Sequence, residues 1–113
     1  MARKNILLIT PPYPVEQALK QLGANLRTAR LRRNLTIQEV AEKIGTGPRP
    51  VSDAESGKVS TSAAVYVALL WTYDLLDPMS ELADPTLDKE GLALSGTRER
   101  ARSRESEELD SEF

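Results

Sequence analysis

The side chains in this 113-residue sequence that could do chemistry are cations and carboxylates: fifteen Lys and Arg, seventeen Asp and Glu, and no histidine or cysteine. Their absence removes thiolate nucleophiles, imidazole acid–base pairs, the usual zinc ligand sets and disulfides. The carboxylates Glu39, Glu42, Asp53 and Glu55 have no nucleophile–base pair or ligand cluster beside them. An enzyme is therefore not expected, and neither a cofactor nor a metal is implied. What the cations can do is attract an anion. They are unevenly spread: residues 1–60 carry a net charge of +5 and residues 61–113 a net charge of −7. A basic surface followed by an acidic segment is the pattern of a nucleic-acid binder, although solvated surfaces show smaller imbalances.

Helices must hold those cations. From Pro14, apolar residues at Val15, Leu19, Leu22, Leu26 and Ala29 recur at three- and four-residue steps, which predicts one helix to about Arg33. Gly23 weakens it and could bend it. Arg27, Arg30, Arg32 and Arg33 ride on its polar face. Thr36 with Glu39 three residues on is a capping box for a helix from Ile37 to Ile44, and Gly45 is a helix-ending glycine. TGPRPVSDAESGK then reads as a second short helix closed by Gly57. Two short helices about a glycine turn, with Val40, Ala41, Ile44, Val51 and Ala54 inward, have helix-turn-helix spacing. Ala63 to Leu76 is a nearly continuous apolar run, stopped by Asp77-Pro78, with a short helical turn to Leu82 after it.

The ends are different in kind. Asn5 to Thr10, NILLIT, is β-favouring and ends at two prolines. Both a short strand pairing with its copy across a dimer and a loose arm remain open for it. Residues 83–113 lack the apolar content to offset the entropy of ordering them and are expected to form a polar, disordered tail. The expected organisation is an arm at 1–13, a folded domain at 14–82 and that tail. Nothing resembles a signal peptide or a membrane span, so the expectation is a cytoplasmic protein with no membrane partner.

The stretch LGANLRTARLRRNLTIQEVAEKIGTGPRPVSDAESGK resembles the Cro/repressor-type (XRE) helix-turn-helix family, from residue 22 to about 76. Arg30, Thr36, Gln38, Glu39-Val40-Ala41, Gly45, Val51-Ser52 and Glu55-Ser56-Gly57-Lys58 carry the resemblance. It implies an all-α, five-helix domain and a structural ion pair between Arg30 and Glu55. It also implies that the helix after Gly45 enters the major groove of double-stranded DNA. Arg49 is then the expected base reader, its guanidinium matching guanine O6 and N7. Asp53, one turn on, is open between accepting from a cytosine amino group and being repelled by phosphates. Gln38, Ser52 and Lys58 are placed for phosphates, with Arg32 and Arg33 adding attraction. Pro48 and Pro50 conflict with this picture. Either the helix begins at Pro50 with Arg49 in the turn, or its first turn is helical under strain.

A DNA-binding transcriptional repressor acting as a homodimer accounts for these features, and the strip Val67, Leu70, Trp71 and Leu75 is candidate dimer surface, with core packing the alternative for Trp71. The N-terminal arm and the extension ELADPTLDKEGLAL are similar to HipB-like antitoxins. That likeness implies an autoregulating antitoxin that binds a HipA-like kinase toxin and is nucleoid-associated when on DNA. A phage-type or general regulator without a toxin, and a protein-interaction module that has lost DNA binding, are the alternatives.

Overall fold

The computed structural model describes residues 5–112, with side chains to Glu107. Residues 1–4 of the expected arm and residue 113 of the expected tail lie outside the described residues. Two compact units divide near Asp77 and Pro78. Among the described residues the first contains only helices: α1 (Ile6–Ile9), α2 (Tyr13–Arg32), α3 (Ile37–Ile44), α4 (Pro48–Glu55) and α5 (Ala63–Thr72). The second holds most of a 3-10 turn at Asp77–Glu81, and α6 (Lys89–Glu112). The expectation of an all-α helix-turn-helix fold holds.

Of the readings left open for Asn5–Thr10, neither the strand nor the loose arm is found. These residues form the single turn α1, in which Leu8 and Ile9 donate to the Asn5 carbonyl and Thr10 donates to that of Ile6. A lone strand would leave its backbone groups unpaired, whereas one helical turn pairs them locally before Pro11 and Pro12 end the element. Ile6, Leu7, Leu8 and Ile9 all remain exposed.

Leu26 and Ala29 of α2, Val40 and Ala41 of α3, Val51 and Ala54 of α4, and Tyr66, Leu69 and Tyr73 from α5 and its exit form the core. Ala41 and Ala54 have no exposed surface, so α3 and α4 meet across small side chains. Trp71 is 59% exposed, and the aromatic core positions go to Tyr66 and Tyr73.

Helices α2 to α5 all end the same way. Asn34, Gly45, Gly57 and Asp74 take left-handed backbone angles, and the following residue donates to the carbonyl five back: Leu35 to Arg30, Thr46 to Ala41, Lys58 to Asp53, Leu75 to Leu70. This is the Schellman ending, which satisfies carbonyls left over at a helix terminus. It also explains why α5 stops at Thr72, four residues short of the sequence expectation. Asp74 turns the chain before Asp77-Pro78 is reached.

Gly23 does not bend α2, which runs unbroken past it. A Cβ there would lie 2.5 Å from the Ala54 carbonyl oxygen and 2.6 Å from that of Glu55. At Gly57 a Cβ would lie 2.6 Å from the Cα of Lys20. Backbone meets backbone where α2 crosses the end of α4, and only glycine permits it.

In the second unit Asp88 accepts from the Gly91 N–H and so caps α6, in which none of the residues whose side chains are described, Lys89 to Glu107, is buried. The disordered tail expected from composition is thus helical from Lys89. Burial does not hold it. Ala, Leu, Arg and Glu are strong helix formers, and the backbone hydrogen bonds close within the segment.

Two outcomes follow for stability. Gly23→Ala improves intrinsic helix propensity by up to about 1 kcal/mol, but forcing the Cβ against two carbonyls costs about 1–3 kcal/mol; urea denaturation is expected to show net destabilisation. Burial raises the phenol pKa of both Tyr66 and Tyr73, with nearby carboxylate charge adding to the effect. The native state therefore keeps these protons after the unfolded chain begins to lose them near pH ~10. Unfolding free energy measured across alkaline pH should be level below that point and fall above it, as the pH rises through the folded values.

Candidate nucleic-acid interface

The local sequence builds α3 and α4 firmly. Thr36 Oγ1 accepts from the Glu39 N–H at 3.1 Å, while Glu39 Oε1 accepts from the Thr36 N–H at 3.2 Å, which completes the capping box. Gly45 (φ 80°, ψ 34°) turns the chain toward α4. Helix α4 begins at Pro48 after Gly47 and includes Arg49 and Pro50 in its first turn. Of the two arrangements left open above, the helical first turn is the one found. Both prolines occupy positions whose N–H would have no acceptor within the helix, so neither removes a bond from it.

Arg30 fixes the far end of α4. It is 8% exposed; its Nε donates to Glu55 Oε2 at 2.7 Å and its Nη2 to Glu55 Oε1 at 3.0 Å, while Nη1 donates to the Leu35 carbonyl at 2.9 Å. One guanidinium thus ties α2 to the end of α4 and to the turn before α3. The hydrogen bonds to Glu55 push the Arg30 pKa further up, against the desolvation that opposes them.

The candidate contact residues separate into three places. Gln38, Arg49 and Ser52 come together with Pro48, Thr36 and Ile37 around a shallow open groove between the starts of α3 and α4. Arg49 and Ser52 are exposed. No hydrogen bond or ion pair occupies the Arg49 side chain among the described residues. Gln38 Nε2 donates to Glu42 Oε1 at 3.1 Å, a surface bond that a phosphate could replace. Asp53 and Lys58 lie at the other end of α4 and face each other, Lys58 Nζ standing 3.7 Å from Asp53 Oδ2. Asp53 is half-buried there.

Arg32 and Arg33 line a different groove, with Asn25, Thr28, Ala29 and Leu75. Arg33 is engaged within the fold. Its Nη1 donates to the Ala29 carbonyl and its Nη2 to the Tyr73 carbonyl, both at 2.9 Å, and its guanidinium stands 5.4 Å from the Tyr73 ring centre. Arg33 therefore binds the ends of α2 and α5 together, and Arg32 beside it stays exposed.

Sequence reasoning passed over Pro48 as a site residue, treating it as an obstacle to the helix. It is exposed on the groove beside Arg49. It also passed over Tyr73 as the partner of Arg33. Neither Arg33 nor Tyr73 is among the residues that carry the resemblance, so it gives no signal for this contact across forty residues.

Breaking the buried pair tests its role. Arg30→Met should cost about 3–5 kcal/mol, because it leaves Glu55 buried and charged without its partner. The double variant Arg30→Met with Glu55→Met should lose less than the single one. Denaturant titrations of the three proteins give this comparison; equal or greater loss in the double variant would show that the pair does not act as a unit.

Residues 21–82, a little over half of the chain, match the family model described as a helix-turn-helix domain. No curated protein and no solved structure matches the chain. The family match spans the capping box, the Gly45 turn, α4 and the Arg30–Glu55 pair, and on that agreement the chain belongs to the helix-turn-helix domain family.

Proposed function

We propose that this protein is a sequence-specific DNA-binding repressor that places α4 in the major groove. The observation that carries this reading is the position of Arg49: exposed, unpaired and in the first turn of α4, with Ser52 one turn along and Gln38 across the groove. In helix-turn-helix docking the early residues of the second helix meet base edges, while polar groups on the first reach phosphates. Gln38 and Ser52 are the phosphate contacts, and Arg32 adds long-range attraction. Asp53 and Lys58 act as a pair at the edge of the interface, where Lys58 can turn from Asp53 to a phosphate. Arg33 contributes positive charge while its hydrogen bonds hold the scaffold.

The protein acts as a homodimer on a palindromic operator. One copy presents a short reading surface, and two half-sites supply the contact area that specific binding needs. Trp71 and Leu75, 59% and 44% exposed, are the apolar surface available on α5 and its exit. The biological role we favour is that of a HipB-like antitoxin repressing its own operon and binding a HipA-like kinase toxin. The sequence likeness of the C-terminal extension supports it, while the arm, strand-like in that likeness, is the helical turn α1 here. A general regulator would share the DNA interface and lack the toxin.

Footprinting on the DNA upstream of the gene, with and without the product of the adjacent gene, tests operator, autoregulation and partner in one experiment. Protection of a palindrome, extended or strengthened by a kinase-like neighbour, is the expected result; an unprotected upstream region would remove the autoregulatory reading. Arg49→Ala should weaken binding to the protected site by about 1–3 kcal/mol and leave the melting temperature unchanged. Arg33→Ala should instead lower the melting temperature, having lost two carbonyl contacts. Fluorescence anisotropy and circular dichroism separate the two effects.

A further inference from the structure

We infer that Pro48 is a specificity-determining residue that reads the C5-methyl group of a thymine in the base pair next to the guanine held by Arg49. This rests on the DNA-binding reading above and extends it to the operator's sequence.

The first turn of α4 is unusual in what it can offer a ligand. Proline has no N–H, so the positions of Pro48 and Pro50 give the helix N-terminus no backbone donor, and those of Gly47 and Arg49 flank the gaps. Gly47 contributes no side-chain cap, and nothing lies within 4 Å of where its Cβ would be, so the approach to this turn is open. A turn that keeps only the Gly47 and Arg49 donors is less suited to holding a phosphate than an ordinary helix N-terminus. What Pro48 presents instead is an exposed apolar ring on the same groove as the Arg49 guanidinium. Pro50 is half-buried and faces less of that opening.

The chemistry of the major groove limits what such a ring can favour. Guanine, adenine and cytosine present hydrogen-bonding groups there, and proline can satisfy none of them. Burying one of those groups against it leaves an unpaired donor or acceptor. Thymine adds a methyl group, the one apolar feature among the four bases. Pro48 and Arg49 are adjacent in the first turn of α4 and line the same groove. A helix that sets Arg49 on one base pair therefore holds the Pro48 ring beside it, toward the neighbouring pair. A cationic fork and an apolar ring side by side together specify a guanine with an adjacent thymine, and they discriminate against cytosine at the second position by what they fail to bond.

The test begins with wild-type protein and a randomised duplex library. Selected sites should share a guanine with a thymine in the neighbouring base pair of each half-site. In the best selected duplex, replacing that thymine by uracil removes the methyl alone. Burial of one such group corresponds to roughly a fourfold change in affinity, so anisotropy titrations should show about three- to fivefold weaker binding. Cytosine at that position should bind more weakly still, and 5-methylcytosine should recover part of the loss. Pro48→Gly, checked for native helix content by circular dichroism, should bind the thymine and uracil duplexes equally. Selected sites without the thymine, or an unchanged response to uracil in either protein, would overturn the role of Pro48 while leaving DNA binding intact. A library that yields no enriched sequence at low salt overturns the DNA-binding reading and this inference with it.

Discussion

The buried contact between Arg30 and Glu55 is the constraint on which the rest of the first unit depends. A guanidinium and a carboxylate taken out of water lose hydration worth several kcal/mol per ion, and they recover it only when hydrogen bonds replace most of what was lost. Here two of the three bonds made by Arg30 go to Glu55 and the third goes to the Leu35 carbonyl. Those bonds have fixed lengths and directions, so they set where α4 lies along α2 in a way that apolar contact alone would not. The glycines at positions 23 and 57 belong to the same constraint. They let the two backbones come close enough for a short carboxylate at the end of α4 to reach an arginine on α2.

Much of this was legible in the sequence, because it is encoded locally. Thr36 and Glu39 announce the start of α3, Gly45 its end, and the small residues Ala41 and Ala54 the crossing of α3 with α4. The spacing of Arg30 and Glu55 carried the ion pair through family resemblance. What could not be read was set by the competition between local and distant effects. The β-branched residues of NILLIT favour a strand in general, yet a strand needs a partner and one helical turn does not. Asn34 and Asp74 both end helices in the left-handed conformation, and short polar side chains at such positions are compatible with turns and helices alike. The aromatic exchange was of the same type: Trp71 and Tyr73 are two residues apart, and a difference of half a helical turn decides which enters the core.

The candidate interface was half legible. The family resemblance pointed to Arg49, Gln38 and Ser52, and the structure gathers these around one groove. The remaining cations were indistinguishable by type, since an arginine that holds two helices together has the same letter as one that waits for a phosphate. Arg33 was assigned to DNA because Arg32 and Arg33 look alike in sequence. Its two carbonyl acceptors, one of them forty residues away, are properties of the folded chain. Lys58 and Asp53 differ again, for their pairing depends on the tight turn at Gly57 that brings the chain back past α4.

Helix α4 is anchored unequally along its length. Its second half carries Val51 and Ala54, without exposed surface, and the Glu55 carboxylate held by Arg30. Its first turn, Pro48 to Pro50, rests on no capping side chain and follows a glycine with open space around it. Changes in that turn meet little of the core, so the residues proposed to read DNA can vary while those that place the helix stay constant. On the proposed DNA-binding reading, a domain built in this way can acquire a new operator without having to be refolded around it. The same separation makes residues 47–50 a natural cassette for directing the scaffold to a chosen site.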